Sequence, residues 1–154
     1  MVKTLNKLKI IRTNSNDLDF QRLIAIFDDY LIDIDGDQRD FFAHYNNKYL
    51  EHALVVYDNE IPIGCGGFKE YDQETAEIKR MFVHPDYRGK GIATTVLTEI
   101  ESWAKEVGYT NFILETSPKL TSAVALYQKM GYIQIPNFGQ YIGVENSICM
   151  KKEM

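Results

Sequence analysis

The stretch EIKRMFVHPDYRGKGIA at residues 77–93 constrains the fold most, because it joins a β-prone strand, a glycine-rich turn and the start of a long helix. Gly89 and Gly91 lack side chains, so successive backbone N–H groups there can converge on an anion. The N-terminus of the following helix adds about half a positive charge at the same point. Arg88 and Lys90 can add full charges facing a diphosphate or a ribose 3′-phosphate. Taken alone, the hexapeptide RGKGIA is equally compatible with an ordinary strand-to-helix loop that carries solvated basic residues.

Two other phosphate-binding motifs fit this stretch less well. The P-loop pattern GxxxxGK[ST] lacks its leading glycine, and Lys90 is followed by Gly91 rather than by serine or threonine. The dinucleotide-binding pattern GxGxxG opens the first βαβ unit of a parallel sheet. Here the preceding segments predict an antiparallel meander, which the doubly wound fold does not contain.

The order of predicted elements is β-α-α-β-β-β-α-β-α-β-β, which is typical of a mixed α/β sheet flanked by helices. Asn14 to Asp17 offer N-cap candidates for the first helix, and a break at residues 35–37 separates it from the second. In the third helix, an apolar face is predicted over Ile92, Val96, Ile100, Trp103 and Val107. The predicted strands are residues 8–12, 53–57, 61–71, 75–83 and 111–116, with two more around a loop at 136–146, and the later helices are residues 39–49, 91–108 and 121–130.

Length and charge narrow the class of protein. No repeat or linker divides the 154 residues, so we expect one domain over residues 1–154. The 17 Lys+Arg against 22 Asp+Glu give a net charge of -5, which argues against nucleic-acid binding. No apolar run is long enough to cross a bilayer and no leader is apparent, so we expect a cytoplasmic protein without a membrane partner. We expect Cys65 and Cys149 to be small core residues.

Three other groups of residues suggest a functional site, but each lacks part of what that site requires. The stretch DIDGD at residues 33–37 resembles a calcium loop, but its glycine is misplaced and His44 stands where the closing glutamate belongs. The three histidines share no metal-ligand spacing, so we predict no metal site. Ser147 and Cys149 have no neighbouring base in the sequence, which disfavours covalent catalysis.

With its flanking elements, the chain resembles the GNAT acetyltransferase superfamily. The family signature [QR]-x-x-G-x-[GA] is met by Arg88, Gly91 and Ala93, after a strand with a hydrophobic end. The later ALYQKMGY at residues 125–132 is similar to the family's tyrosine-bearing helix and its glycine stop. The element order also agrees with the family. The resemblance covers the chain from about Leu8 onward and is strongest over residues 75–132.

The resemblance implies a splayed sheet and acetyl-coenzyme A as cosubstrate. The strands at residues 75–83 and 111–116 would part, and the pantetheine arm would enter the gap between them. Met81, Phe82 and Val83 would offer backbone groups to the pantetheine and to the thioester oxygen. The pyrophosphate would be wrapped by the turn and the first helical turn, namely Arg88, Gly89, Lys90, Gly91, Ile92, Ala93 and Thr94.

The resemblance also points to catalytic candidates. Tyr127 aligns with the family tyrosine that protonates the departing thiolate, and its alternative role is packing beside Ala123 and Met130. Glu77 lies where some members carry a general base, and an apolar cleft would raise its pKa. Its alternative role is a solvated residue paired with Lys79 or Arg80. Strand alternation predicts Glu77, Lys79 and Met81 on one face, and Ile78, Arg80 and Phe82 on the other.

The acceptor is expected to be a primary amine of a small molecule, amino acid or peptide. The resemblance implies that the helical pair at residues 18–49 and the loop 136–146 build the acceptor pocket. These segments contain many polar and acidic residues, which suit a cationic amine or form a solvated acidic face: Asp28, Asp29, Asp33, Asp35, Asp37, Asp40, Tyr141, Glu145 and Asn146. The competing function is a non-catalytic acyl-coenzyme A-binding sensor or regulatory partner with the same fold. Dimers are common in the family, so a homodimer is compatible with the resemblance.

Overall fold

Strands and helices follow one another in the predicted order in the computed structural model, which describes residues 8–46 and 48–153. The structure describes the backbone and not the side chain of Asp37, one of the acidic residues named above, and of Tyr45, in the predicted second helix. The strands are β1 (Leu8–Thr13), β2 (His52–Asp58), β3 (Ile61–Asp72), β4 (Thr75–Val83), β5 (Asn111–Thr116), β6 (Ile133–Ile135) and β7 (Ile148–Glu153). The helices are α1 (Leu18–Asp35), α2 (Arg39–Asn46), α3 (Ile92–Val107) and α4 (Thr121–Lys129).

The strands form one mixed sheet in the order β1-β2-β3-β4-β5-β7-β6. Neighbouring strands are antiparallel except β4 and β5, which run parallel and are connected through α3. The β4–β5 pairing starts at Thr75 and Asn111 and ends at Glu77 and Ile113. Since β4 continues to Val83 and β5 to Thr116, the two strands separate beyond this pair. The predicted splay is therefore present.

Helix α3 covers one face of the sheet and α1 covers the other. Val96 and Ile100 of α3 lie in the main core cluster with Phe68 and Phe112 of the sheet. Glycines on β3 allow this close approach, since a Cβ at Gly66 would lie 2.7 Å from Ile100 Cδ1. Phe20 and Leu23 of α1 pack in a second cluster with Val55 and Phe82. The two cysteines are free and buried, as expected.

The helix boundaries follow local chemistry. The carboxylate of Asp17 accepts hydrogen bonds from the N–H groups of Asp19 and Phe20, which caps α1 as predicted. Gly36 (φ 55°) ends α1 within the predicted break. The prediction that the second helix reaches Tyr49 was wrong, because α2 ends at Asn46. The Ser15 N–H donates to the Leu50 carbonyl and the Leu50 N–H donates to Ser15 Oγ, which holds the chain before β2 outside a helix.

The predicted apolar face of α3 was wrong at its last residue. Val107 is 48% exposed, whereas Glu101 is only 6% exposed. Glu101 accepts hydrogen bonds from the Tyr132 hydroxyl (2.7 Å) and from Lys152 Nζ (3.0 Å). The buried face of the helix therefore includes a paired carboxylate that periodicity of apolar residues does not reveal.

A β-bulge in β4 changes which side chains share a face. Arg80 has φ 59°, and between the pairs Gly67–Lys79 and Cys65–Phe82 there are two residues of β4 but only one of β3. Met81 therefore packs toward the α3 side, while the Arg80 guanidinium donates to Asp28 Oδ1 of α1 at 2.7 Å. The alternation predicted beyond Lys79 was wrong, because the extra residue reverses the facing of Arg80 and Met81.

None of the helices in the described part of the chain is long and apolar enough to span a membrane.

Candidate active site

A cavity of about 560 Å³ opens where β4 and β5 separate. Its walls come from β4, the glycine turn, the end of β5, α4 and the C-terminal part of α1. Tyr127 and Glu77, the two predicted catalytic residues, both line it. Most of the predicted cofactor residues also line it, namely Met81, Phe82, Val83, Arg88, Gly89, Gly91, Ile92, Ala93 and Thr94. Lys90 is not among the described residues that line the cavity.

The turn before α3 has the backbone shape that an anion site requires. Gly89 and Gly91 have φ of 76° and 78°, in the left-handed region that favours glycine. Gly91 is the N-cap of α3 and no side chain caps it. A Cβ at either glycine would meet no atom of the described residues within 4 Å, so this part of the structure leaves the space in front of the turn open. The turn therefore leaves the N-terminal N–H groups of α3 free of a side-chain cap.

Arg88 turns back along the cavity wall. Its Nε donates to the Val83 carbonyl at 3.3 Å, and its guanidinium carbon lies 5.3 Å from the Tyr30 ring centroid. This places a permanent positive charge between the end of β4 and α1.

Tyr127 stands in α4 with its side chain almost fully buried. Its ring contacts the Tyr132 ring edge-to-face at 5.8 Å between centroids. Burial raises the pKa of Tyr127 well above its usual range, and repulsion from Glu115 adds to this effect. The hydroxyl is therefore protonated at neutral pH and is available as a donor in the cavity.

Glu77 is buried and paired with Lys79. Its exposed fraction is 3%, and its Oε2 lies 3.5 Å from Lys79 Nζ. Among residues 8–46 and 48–153, Oε2 has no hydrogen-bond partner, so its contact with Lys79 is an ion pair rather than an aligned hydrogen bond. Lys79 Nζ also donates to the Tyr141 hydroxyl at 3.2 Å. Burial lowers the pKa of Lys79, and the charge of Glu77 opposes this shift.

Glu115 of β5 lines the same cavity and was missed in the sequence. Its Oε2 accepts a 2.6 Å hydrogen bond from the Ser147 hydroxyl. Burial raises the pKa of Glu115 to about 7, with smaller contributions in the same direction from Asp35 and Glu77. The Ser147 hydrogen bond and the charge of Lys79 act in the opposite direction. The available signal in the sequence was a single acidic residue within the apolar run NFILET. The buried residues Phe112 and Leu114 lie on one face of β5, and Glu115 lies on the other.

The sequence has no base beside Ser147, and the carboxylate that its hydroxyl contacts comes from another strand, β5. Among the described residues Ser147 does not line the cavity, so its hydroxyl supports Glu115 rather than facing a substrate.

Of the residues predicted to form the acceptor pocket, Asp35 and Asn146 line the cavity, together with Lys119. Lys119 Nζ and Asn146 Nδ2 both donate to the Ile34 carbonyl, at 3.2 and 3.0 Å, and so tie the end of α1 to the opposite wall. Burial raises the pKa of Asp35 to about 6, and Asp28 adds to the shift. Tyr141 is buried beneath the cavity. Of the other described acids of this set, Asp28 is half-exposed and paired with Arg80, and the rest are exposed, as a solvated acidic face would be: Asp29, Asp33, Asp40 and Glu145.

Within residues 8–46 and 48–153 no three His, Cys, Asp or Glu side chains are grouped so that they could hold a metal ion.

Solved structures share this architecture. A candidate acyl-CoA N-acyltransferase from Klebsiella pneumoniae superposes with a TM-score of 0.80 at 25% identity, over 95% of this chain and 97% of the other. A GNAT family acetyltransferase from Elizabethkingia anophelis with acetyl-CoA bound has a TM-score of 0.68 at 20% identity, over 96% and 98%. The PaiA N-acetyltransferase of Thermoplasma acidophilum in complex with coenzyme A has a TM-score of 0.67 at 18% identity, over 97% and 100%. The fold is that of the acyl-CoA N-acyltransferases.

Sequence comparison adds named relatives. An IAA acetyltransferase from Azospirillum brasilense is 34% identical over 102 residues, which are 66% of this chain and 67% of the relative. The N-acetyltransferase YsnE of Bacillus subtilis is 34% identical over 93 residues, or 59% and 62%. The chain spans about half to two thirds of the length of the curated relatives that it matches. Fold and relatives together define an acetyltransferase enzyme.

The model of the acetyltransferase (GNAT) family matches residues 20–132, and the chain belongs to this family. The matched segment includes β4, the glycine turn, α3, β5 and α4 up to Tyr132. The resemblance inferred from Arg88, Gly91, Ala93 and the helix at Tyr127 is thereby confirmed.

Proposed function

We propose that the protein is an N-acetyltransferase that transfers the acetyl group of acetyl-coenzyme A to a primary amine in a ternary complex. The acceptor is a small molecule, an amino acid or a peptide. One observation carries this proposal: the cavity at the β4–β5 gap brings together the glycine turn, the free edge of β4, a buried tyrosine and the carboxylates of Glu77 and Glu115. These are the groups that acyl transfer from a thioester to an amine requires.

The cosubstrate site is proposed along β4 and the turn. Past Glu77 the β4 backbone has no β5 partner, so the N–H and C=O groups of Met81, Phe82 and Val83 on that edge are offered to a pantetheine arm. The segment from Arg88 to Thr94 would hold the pyrophosphate, with Lys90 contributing charge from outside the cavity lining. Solved neighbours that contain acetyl-CoA or coenzyme A support this ligand class.

The proposed chemistry divides between two ends of the cavity. A carboxylate takes a proton from the amine, whose nitrogen then forms the new bond to the acetyl carbon. The carbon–sulfur bond breaks, and Tyr127 gives its proton to the departing thiolate. Burial keeps the Tyr127 hydroxyl protonated until that moment. Backbone N–H groups of β4 would hold the developing oxyanion.

Two carboxylates compete for the role of base. Glu77 is already paired with Lys79, whereas Glu115 accepts from the neutral Ser147 hydroxyl and has its pKa raised to about 7. A general base works best with a pKa close to the working pH, which favours Glu115. Glu77 remains the base predicted from the family position.

The pH dependence of kcat/KM separates the two candidates. If Glu77 is the base, Glu77→Gln lowers kcat and flattens the acidic limb of the profile. If Glu115 is the base, Glu115→Gln removes the acidic limb, and Glu77→Gln keeps the limb but moves it to lower pH, because a neighbouring negative charge is lost. Unchanged profiles in both variants, measured with a turned-over amine, would contradict both assignments.

The proposed function itself is tested by ligand-dependent thermal stability followed by turnover. Acetyl-coenzyme A and coenzyme A should raise the melting temperature, and NAD should not. Release of free thiol with members of an amine panel then distinguishes an enzyme from a non-catalytic acyl-coenzyme A sensor. Absence of stabilisation by either coenzyme A species would overturn the proposal.

A further inference from the structure

Three ionisable side chains meet where the sheet opens. Glu77 and Ile113 form the last pair between β4 and β5. Two residues further along each strand come Lys79 and Glu115, which therefore stand across the newly opened gap from each other. Glu77, Lys79 and Glu115 all line the cavity; Glu77 and Lys79 are buried, and Glu115 is half-buried.

Lys79 is held in place from two sides. Its Nζ lies 3.5 Å from Glu77 Oε2 and donates to the Tyr141 hydroxyl at 3.2 Å. Tyr141 is itself 1% exposed and packs with Phe42 and Cys149 in a separate core cluster. A buried ammonium fixed in this way acts on nearby carboxylates through a medium that screens charge poorly.

The groups that face Glu115 come from every element around it. On β4 these are Glu77 and Lys79, on α1 Asp35, and before β7 Ser147. Burial raises the pKa values of Tyr127 in α4, Tyr141 and Cys149, and the negative charge of Glu115 adds to each shift. All three groups are therefore neutral near pH 7. The negative charges of Glu77 and Asp35 disfavour ionisation of Glu115, and the positive charge of Lys79 favours it.

We propose that Lys79 is a positioning residue whose ammonium group, fixed by Glu77 and Tyr141, keeps Glu115 ionised across the β4–β5 gap. The inference rests on the proposed function, in which Glu115 takes the proton of the attacking amine. With Lys79 charged, Glu115 is ionised in a useful fraction of molecules at neutral pH and can accept that proton. Without it, the desolvation of Glu115 and the repulsion from Glu77 and Asp35 would leave the carboxyl group mostly protonated at neutral pH.

The direct test is a ¹³C NMR titration of the Glu115 side-chain carboxyl in protein with labelled glutamate. The Glu115→Gln variant identifies the resonance. In Lys79→Met the titration midpoint should rise by about one pH unit, because the stabilising charge is gone. In Lys79→Arg it should stay close to that of the unchanged protein, because arginine remains charged. In Glu77→Gln it should fall.

The direction of the shift in each variant tests the proposal. A midpoint in Lys79→Met that is unchanged or lower would overturn it, as would a rise in Lys79→Arg as large as that in Lys79→Met. Lys79→Gln, which retains a donor for Tyr141, replaces Lys79→Met if the latter does not fold, and it should raise the midpoint in the same way. The readout does not depend on turnover, so failure of the amine panel would overturn the proposed function without deciding the role of Lys79. With a turned-over amine, the acidic limb of kcat/KM should follow the NMR midpoint.

Discussion

The hydroxyl of Ser147 donates a 2.6 Å hydrogen bond to Oε2 of Glu115, linking the residue before β7 to the penultimate residue of β5. This bond favours the ionised carboxylate, whereas burial favours the protonated acid. The resulting pKa of about 7 is suited to a group that must accept and release a proton near neutral pH.

Ser147→Ala should move the acidic limb of kcat/KM to higher pH. The substitution removes a donor to the ionised form of Glu115, so the carboxyl group holds its proton to a higher pH. Activity should fall near neutral pH and recover at higher pH. Ser117→Ala is the matched control, because the Ser117 hydroxyl donates to Asn146 Oδ1 instead and its loss should leave the limb in place. Equal shifts in both variants would show that the Ser147 hydrogen bond is not the cause.

Glu115→Gln should make stability less dependent on pH. The folded pKa of Glu115, about 7, lies above its reference value of 4.5, so its contribution is fully present below the reference value and is lost as pH rises through 7. Between about pH 5 and pH 8 this group alone should lower the free energy of unfolding by about 2 to 3 kcal/mol. Urea unfolding of both proteins at the two pH values measures the difference. An equal loss in both would exclude Glu115 as its source.

Tyr127→Phe should lower kcat by about a hundredfold while leaving acetyl-coenzyme A affinity nearly unchanged. The variant keeps the ring that packs on Tyr132 and removes only the proton donor. The defect should shrink with an acetyl thioester whose thiol is more acidic, because such a leaving group needs less protonation. A defect of the same size with both thioesters would show that the Tyr127 hydroxyl does not protonate the leaving group. Circular dichroism and thermal melts confirm that the variant is folded.

Gly91→Ala and Gly139→Ala form a matched pair that tests the cofactor turn. Both glycines have positive φ, 78° and 53°, and a Cβ at either would meet nothing within 4 Å. Each substitution should therefore cost about 1 kcal/mol of stability through backbone strain. Only Gly91 lies at the proposed pyrophosphate site, so only Gly91→Ala should weaken acetyl-coenzyme A binding. Calorimetric titration measures this, and equal affinities in the two variants would contradict the assignment of the turn.

Local patterns in the sequence predicted much of the fold and of the donor half of the site. Asp17 caps α1, and Gly91 and Gly108 bound α3, because capping depends on residues close in the chain. The turn residues and Tyr127 were found from two motifs at a family spacing, and all of them except Lys90 line one cavity. The end of α2 was misplaced, since the contact between Ser15 and Leu50 joins distant segments.

What the amino-acid sequence determined by itself was the order of elements, the glycine turn and the family, all of which rest on neighbouring residues or on short motifs. The tertiary structure alone decided the facing of Arg80, because a bulge depends on the register of β3 against β4. It also decided the chemistry of Glu115. That carboxylate acquires its pKa from burial and from side chains of α1, β4 and the segment before β7, which only the folded chain brings together.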